Sequence, residues 1–179
     1  PVYVDTHAHL YLNEFEADRD TVVDTAVQRG VEKILLPNID STSVGPMNRL
    51  ADRFPGTCLP MMGLHPTSVK DGYIRELLLV EQEVKLRRYV AIGEIGLDYY
   101  HLDPTKNVSE AKRRQQEVFL KQLVLARNLD LPVIIHCRQA HDDLLSILQD
   151  FRKVYANFIP ADRPWGVIHC FSGDEDLAW

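Results

Sequence analysis

Pro132-Val133-Ile134-Ile135-His136-Cys137-Arg138 decides how this chain folds. An unbroken run of Val and Ile describes a strand buried on both faces, as parallel sheets contain, and it releases a histidine at its C-terminal end. Gly166-Val167-Ile168-His169 repeats the pattern downstream. Upstream, the run 2–6 leads into His7 and His9, the run 57–62 into Gly63-Leu64-His65-Pro66, and the run 89–92 into Gly93-Glu94. Five of the seven histidines (His7, His9, His65, His136 and His169) therefore sit at or just past a strand end, and Glu94 takes the equivalent place after its own run.

Between these runs, and between them and a further strand at 31–36, lie segments of helical period. Phe15, Arg19, Val22 and Ala26 share one helical face, as do Leu77, Val80 and Val84, then Phe119, Leu123 and Ala126. Leu144, Leu148, Phe151 and Tyr155 do so again. Alternation of apolar strands with amphipathic helices reads as a parallel sheet covered by helices. An open doubly wound sheet would bind its ligand at one switch point, from few strand ends. A barrel recruits residues from nearly every strand end to one mouth, and that is what this chain displays. The expected class is α/β, a TIM (β/α)8 barrel. Six strands are counted where eight are needed, and such barrels run to ~250 residues against the 179 given. The expectation is a single domain over 1–179 that is C-terminally incomplete, with about six of eight βα units, the rest downstream or in a second polypeptide.

Composition excludes several function classes. At 45% hydrophobic the chain can fill one sizeable core. No run approaches the ~18 apolar residues of a spanning helix, and no targeting segment opens the sequence, so the expectation is a soluble, cytoplasmic protein with no membrane role. Cys58, Cys137 and Cys170 are odd in number and lie in or beside expected strands, which suits buried thiols better than a disulfide framework. A formal charge of −6 argues against a broadly basic surface that coats nucleic acid, while leaving room for an enzyme that holds a phosphate locally.

The strand-end residues are a metal-ligand set. Alternation puts His7 and His9 on one side of their segment, able to hold one ion together. Glu94, flanked by Gly93 and Gly96, can bridge two ions; alone it would read as a cap or an arginine partner, so company makes the case. His136 and His169 would each read singly as core histidines, and jointly, in register, as ligands. His65 stands in a Pro-bounded turn, where it can contact substrate or orient a ligand. Arg138 is placed to grip a phosphate through its planar fork, with a rim salt bridge as the competing reading. Asp98 is a candidate to hydrogen-bond a ligand histidine, or else a turn residue. His101 and His141 read as rim residues, and Lys112-Arg113-Arg114 as a solvated helix face. Cys137 and Cys170 should point away from the mouth.

These motifs carry a resemblance. His7-Ala8-His9, Gly63-Leu64-His65-Pro66, Gly93-Glu94-Ile95-Gly96-Leu97-Asp98-Tyr99, the 132–138 run and His169-Cys170-Phe171-Ser172-Gly173 occur in the order and approximate spacing of the TatD family of metal-dependent deoxyribonucleases, within the amidohydrolase superfamily. The resemblance implies a TIM barrel, a metal pair and hydrolysis of DNA phosphodiester bonds, with 3′ to 5′ exonuclease action on single strands common in the family. Carried over by position, His7 and His9 hold the first ion, Glu94 bridges, and His136 with His169 holds the second. The family also uses an aspartate after its eighth strand, and this sequence has no residue at that place.

Two divalent ions would neutralise a phosphodiester and lower the pKa of a bound water. Imidazole with carboxylate suits zinc or manganese; magnesium is the ion commonly used with the family. Two other readings are carried: a superfamily hydrolase acting on a small substrate, and a noncatalytic fragment lacking the aspartate.

Overall fold

The computed structural model describes residues 1–156 and 164–178. Its strands are β1 (Tyr3–Asp5), β2 (Val31–Pro37), β3 (Cys58–Met61), β4 (Ile92–Asp98), β5 (Val133–Arg138) and β6 (Gly166–Ile168). They form two three-stranded parallel sheets, β1-β2-β3 and β4-β5-β6. Met62 bridges to Ile92, and at the same seam Val90 N–H donates to Pro60 O (3.1 Å) and Gly93 N–H to Met62 O (2.9 Å). Spatial order thus follows chain order throughout. That order is consistent with a barrel, whereas a doubly wound sheet reverses at a switch point.

Connecting these strands are α1 (Arg19–Gln28), α2 (Ser41–Arg53), α3 (Tyr73–Leu86), α4 (Val108–Asn128) and α5 (His141–Tyr155), and a last turn, α6 (Glu175–Ala178), follows β6. None is long and apolar enough to cross a membrane among the described residues. The longest, α4, starts where the Asn107 side chain accepts from Glu110 N–H (3.1 Å), which satisfies an amide the helix leaves unpaired. It buries Gln115, Val118, Phe119, Gln122, Leu123 and Ala126, a stripe at helical spacing. Apolar residues divide into a cluster under α1–α3 containing Ile34, Leu36, Met47 and Val80, and another under α4 and α5 containing Ile95, Phe119, Val133 and Phe151. Met61, Ala91 and Ile134 form a third, small cluster; alternation along β5 puts Ile134 on the face opposite Val133 and Ile135.

Four local expectations are corrected. The fourth strand does not span 89–92 but runs from Ile92 to Asp98, every residue of it buried, and β5 runs on through Arg138, so Glu94 and His136 lie within their strands rather than after them. Gly93 and Gly96 weaken the strand signal there, yet they serve close packing. A Cβ on Gly93 would lie 2.7 Å from Ile134 Cβ, and one on Gly96, at φ +138°, would lie 2.0 Å from His136 O. Secondly, α1 begins at Arg19, with Phe15 in a separate 3-10 turn. Arg19 does not join an apolar face. Its guanidinium donates to the carbonyls of Leu10 (2.6 Å), Tyr11 (3.0 Å) and Leu12 (2.8 Å) and so ties down the segment that carries His7 and His9.

Thirdly, α2 forms where the sequence offered no singled-out apolar face, and Gly45-Pro46 counts against a helix there. Asp40 accepts from Thr42 N–H (3.0 Å), Ser43 Oγ accepts from Asp40 N–H (3.1 Å), and Val44, Met47, Leu50 and Ala51 supply a buried face. Pro46 sits in the second turn, where it withholds one amide and the buried face outweighs that loss. Finally, Cys58 and Cys137 are buried free thiols, but Cys170 is exposed, in a turn at φ +49°.

Replacing Gly96 with Ala forces a methyl into the His136 carbonyl at a backbone angle L-residues rarely adopt. A loss of about 3 kcal/mol or more is expected in denaturant unfolding; an unchanged midpoint would mean that β4 and β5 need not be this close.

Candidate metal centre

Glu94 is the hub of the site. Its carboxylate is buried, and four imidazoles from three other segments reach it. His7 Nε2 lies 3.1 Å from Glu94 Oε2, His9 Nε2 3.6 Å and His65 Nε2 3.7 Å, while His136 Nδ1 lies 3.1 Å from Oε1. Burial pushes the Glu94 pKa upward, but the surrounding imidazoles, with hydrogen bonds from His136 and His7 foremost, outweigh it and hold the carboxyl well below the usual range. Two groups of three ligand atoms share this residue: His7, His9 and Glu94, and His65, Glu94 and His136. All line a cleft of about 720 Å³, together with Arg138, His141, His169 and Cys170.

Hydrogen bonding behind the histidines fixes what each presents. Tyr11 donates its hydroxyl proton to Pro37 O, so its oxygen accepts from His9 Nδ1 (2.7 Å). His9 therefore carries its proton on Nδ1 and offers the Nε2 lone pair to the cleft. His65 is the opposite case. Its Nδ1 accepts from Thr67 N–H (3.2 Å), and burial depresses its pKa to about 4, so the neutral ring points an Nε2–H inward. His136 is flanked on both sides, by Glu94 at Nδ1 and by Asp98 Oδ2 at Nε2 (2.9 Å). Burial lowers its pKa, and the two carboxylates more than reverse that. Asp98 is itself oriented by His101, whose N–H (2.9 Å) and Nδ1 (2.8 Å) both contact it.

The backbone beneath is clamped by three buried polar side chains. Gln115 accepts from Asp98 N–H (2.8 Å) and donates to Asp98 O (2.9 Å). One α4 heptad later, Gln122 does the same for Leu64, at 2.7 and 3.1 Å. Asn38, just past β2, donates its side-chain amide to Gly63 O (2.8 Å), while its backbone N–H contacts Met61 O (3.1 Å) and Gly93 O (3.2 Å). Each satisfied buried amide fixes one site loop against one helix or strand.

The structure thus brings together His7, His9, His65, Glu94 and His136, and seats Asp98 on His136 as a hydrogen-bond partner. His169 joins neither ligand group: its ring stacks on His7, with centroids 3.5 Å apart and planes 9° apart. In this arrangement His65, rather than His169, accompanies His136. Arg138 makes no rim salt bridge among the described residues; its guanidinium lies over Tyr100, 4.1 Å from the ring centroid. Of the two rim histidines, His101 supports Asp98, and His141 lines the cleft with Nε2 buried and unpartnered. Cys137 packs into the helix-side core and also borders the cleft, and Cys170, expected to point away from it, lines the cleft too. The 112–114 cluster is more than a solvated face, since Arg114 pairs with Asp71 (2.6 Å) and Glu110 and Lys112 sits over Tyr99. Sequence reading missed Tyr11, Asn38, Gln115 and Gln122. Tyr11 extends the His7–His9 alternation by one step, and the two glutamines fall on the apolar stripe of α4, where a polar residue signals a buried partner.

The residues present fit divalent ions. His7 Nε2 and His9 Nε2 stand 3.2 Å apart and His7 Nδ1 is buried without a partner, so imidazoles crowd the carboxylate beyond what its protons can satisfy. Imidazole nitrogen with carboxylate oxygen is the donor set of zinc and manganese sites.

Comparison with known proteins agrees. Residues 4–179 match the sequence profile described as TatD related DNase. An uncharacterized metal-dependent hydrolase of Bacillus subtilis, YabD, is 30% identical over 97% of this chain and 62% of its own length. The 3'-5' ssDNA/RNA exonuclease TatD of Musicola paradisiaca is 32% identical over 96% of this chain and 60% of its length. Among solved structures, YjjV, a TatD homolog of Escherichia coli, superposes with a TM-score of 0.81 at 32% identity, over 98% of this chain and 62% of that one. The chain therefore spans about three fifths of the length of these relatives.

Tyr11→Phe removes the oxygen that accepts His9 Nδ1–H. The variant is expected to bind zinc or manganese about 10- to 100-fold more weakly by titration calorimetry, with its fold intact; equal affinity would remove Tyr11 and the His9 tautomer from the site.

Proposed function

The chain belongs to the TatD related DNase family, a family of metal-dependent hydrolases, and we propose that it serves in hydrolysing DNA phosphodiester bonds, from the 3′ end of single strands. One observation carries this reading: a buried carboxylate shared by two sets of imidazoles on the floor of an open cleft. Two divalent ions are proposed, zinc, manganese or magnesium, which His7 and His9 would hold on one side of Glu94 and His136 with His169 on the other. Such ions neutralise phosphate oxygens and acidify a water when bound.

The chain's own groups have separable tasks. Glu94, held ionised, is a poor proton acceptor and suits bridging. Tyr11 and Asp98 lock the rings of His9 and His136, so the donor set is organised before ligands arrive. His65 stays neutral at pH 7 and can donate its Nε2–H to a phosphoryl oxygen, a bond worth most where charge builds up in the transition state. Arg138 stands at the rim as a cation for non-bridging oxygens. Its local charge matters because the chain as a whole is acidic, at −6.

We also propose that further βα units close a TIM barrel against β1 and β6. Val2, Tyr3 and Val4 on one edge and Val167 on the other are exposed, each at half or more of its surface, a costly state for strand edges left open. The cytoplasm is the proposed location.

Chelation is expected to abolish cleavage of a single-stranded oligonucleotide by the purified protein, and added manganese, zinc or magnesium to restore it. His65→Ala should lower kcat about 10²- to 10³-fold, and His65→Gln, which keeps an N–H donor, should lose less. Intact strands in every metal condition, with hydrolysis of a lactone, amide or phosphotriester instead, would overturn the nuclease reading.

A further inference from the structure

The loop after β4 presents two consecutive tyrosines that fare differently. Tyr99 is tied inward: its hydroxyl donates to Asp143 Oδ2 (2.6 Å) and accepts from Gln116 (2.8 Å). Tyr100 is 53% exposed. One face of its ring is covered by the Arg138 guanidinium at 4.1 Å, and His101 meets its edge at 4.9 Å between centroids. Among the described residues Arg138 has no carboxylate within ion-pair distance, although the chain carries 26 acidic residues. Arg138 lines the metal cleft and pairs in register with Asp98, two residues before Tyr100. A cation without an ion pair among the described residues, set over an exposed ring at the lip of a cleft, belongs to neither the core nor a salt bridge.

Resting on the nuclease reading above, we propose that Tyr100 and Arg138 form a nucleotide subsite at the rim, in which an unpaired base stacks on the Tyr100 ring or the plane of the guanidinium while Arg138 N–H groups take the adjoining phosphate. Arginine stacks on aromatic and base planes while its edge still donates to phosphate, so one residue can serve both parts of a nucleotide. The subsite accounts for a single-strand preference physically, because a base inside a duplex offers neither face. It contributes binding rather than bond cleavage, and so separates from the metal centre in kinetics.

Cleavage and binding of the same oligonucleotide by the purified, metal-loaded protein test this, with fluorescence anisotropy in parallel. Tyr100→Ala is expected to raise KM and Kd for a single strand roughly tenfold, with kcat nearly unchanged. Tyr100→Phe should restore wild-type values, since the ring and not the hydroxyl is used. A strand with an abasic residue at the bound position should bind wild type and Tyr100→Ala equally. Arg138→Lys, which keeps the charge but loses the plane, should also weaken binding. If wild type cleaves single strands and Tyr100→Ala matches it in KM and Kd, or if the abasic strand is discriminated as strongly as the intact one, the subsite is overturned and the nuclease reading stands. If wild type cleaves no strand, both fall.

Discussion

A carboxylate buried among imidazoles is the constraint around which the rest of this structure is organised. Removing Glu94 from water costs several kcal/mol unless opposite charge or donors replace the lost hydration. Here the replacement comes from the rings around it, four of whose nitrogens lie within 3.7 Å, brought from just past β1 and β3 and from within β5. No single strand could supply them. A sheet whose neighbours follow one another in parallel brings successive strand ends to one side, so the fold and the site answer the same electrostatic requirement.

Holding those rings to a few tenths of an ångström calls for support that is not itself chemical. Gln115 and Gln122, one heptad apart on α4, grip the backbone of Asp98 and Leu64 by both peptide groups. Arg19 collects three carbonyls behind His9, and Asn38 joins the ends of β2, β3 and β4. Close approach of β4 to β5 rests on Gly93 and Gly96, where a side chain would strike Ile134 or His136. The buried polar residues are therefore fastenings for the geometry of the site, and the apolar clusters under the helices provide the burial that holds the layers together.

Much of this was legible in the sequence because strand-end residues are fixed by short, local patterns. The 132–138 run and its relatives located His7, His9, His65, Glu94 and His136, and the same motifs pointed to the family. What escaped depended on partners distant in sequence. α2 hides behind Gly45-Pro46, since its stability comes from burying Val44, Met47 and Leu50 rather than from propensity. The continuation of β4 through Gly93 and Gly96 is set by the space left by β5. Tyr11 and Thr67 choose the tautomers of His9 and His65, and no periodicity reports which nitrogen bears a proton. The place of His169, stacked on His7 and outside both ligand groups, is likewise a matter of packing.

The central proposal is that a single shared carboxylate makes two ion positions out of one cluster of histidines. Metal content per chain tests that most directly. After equilibration with zinc or manganese and dialysis, mass spectrometry of wild type is expected to show two ions per chain, and Glu94→Gln, of the same size but uncharged, at most one weakly held ion. Full occupancy in Glu94→Gln, or no bound ion in the wild type, would contradict a centre built on Glu94.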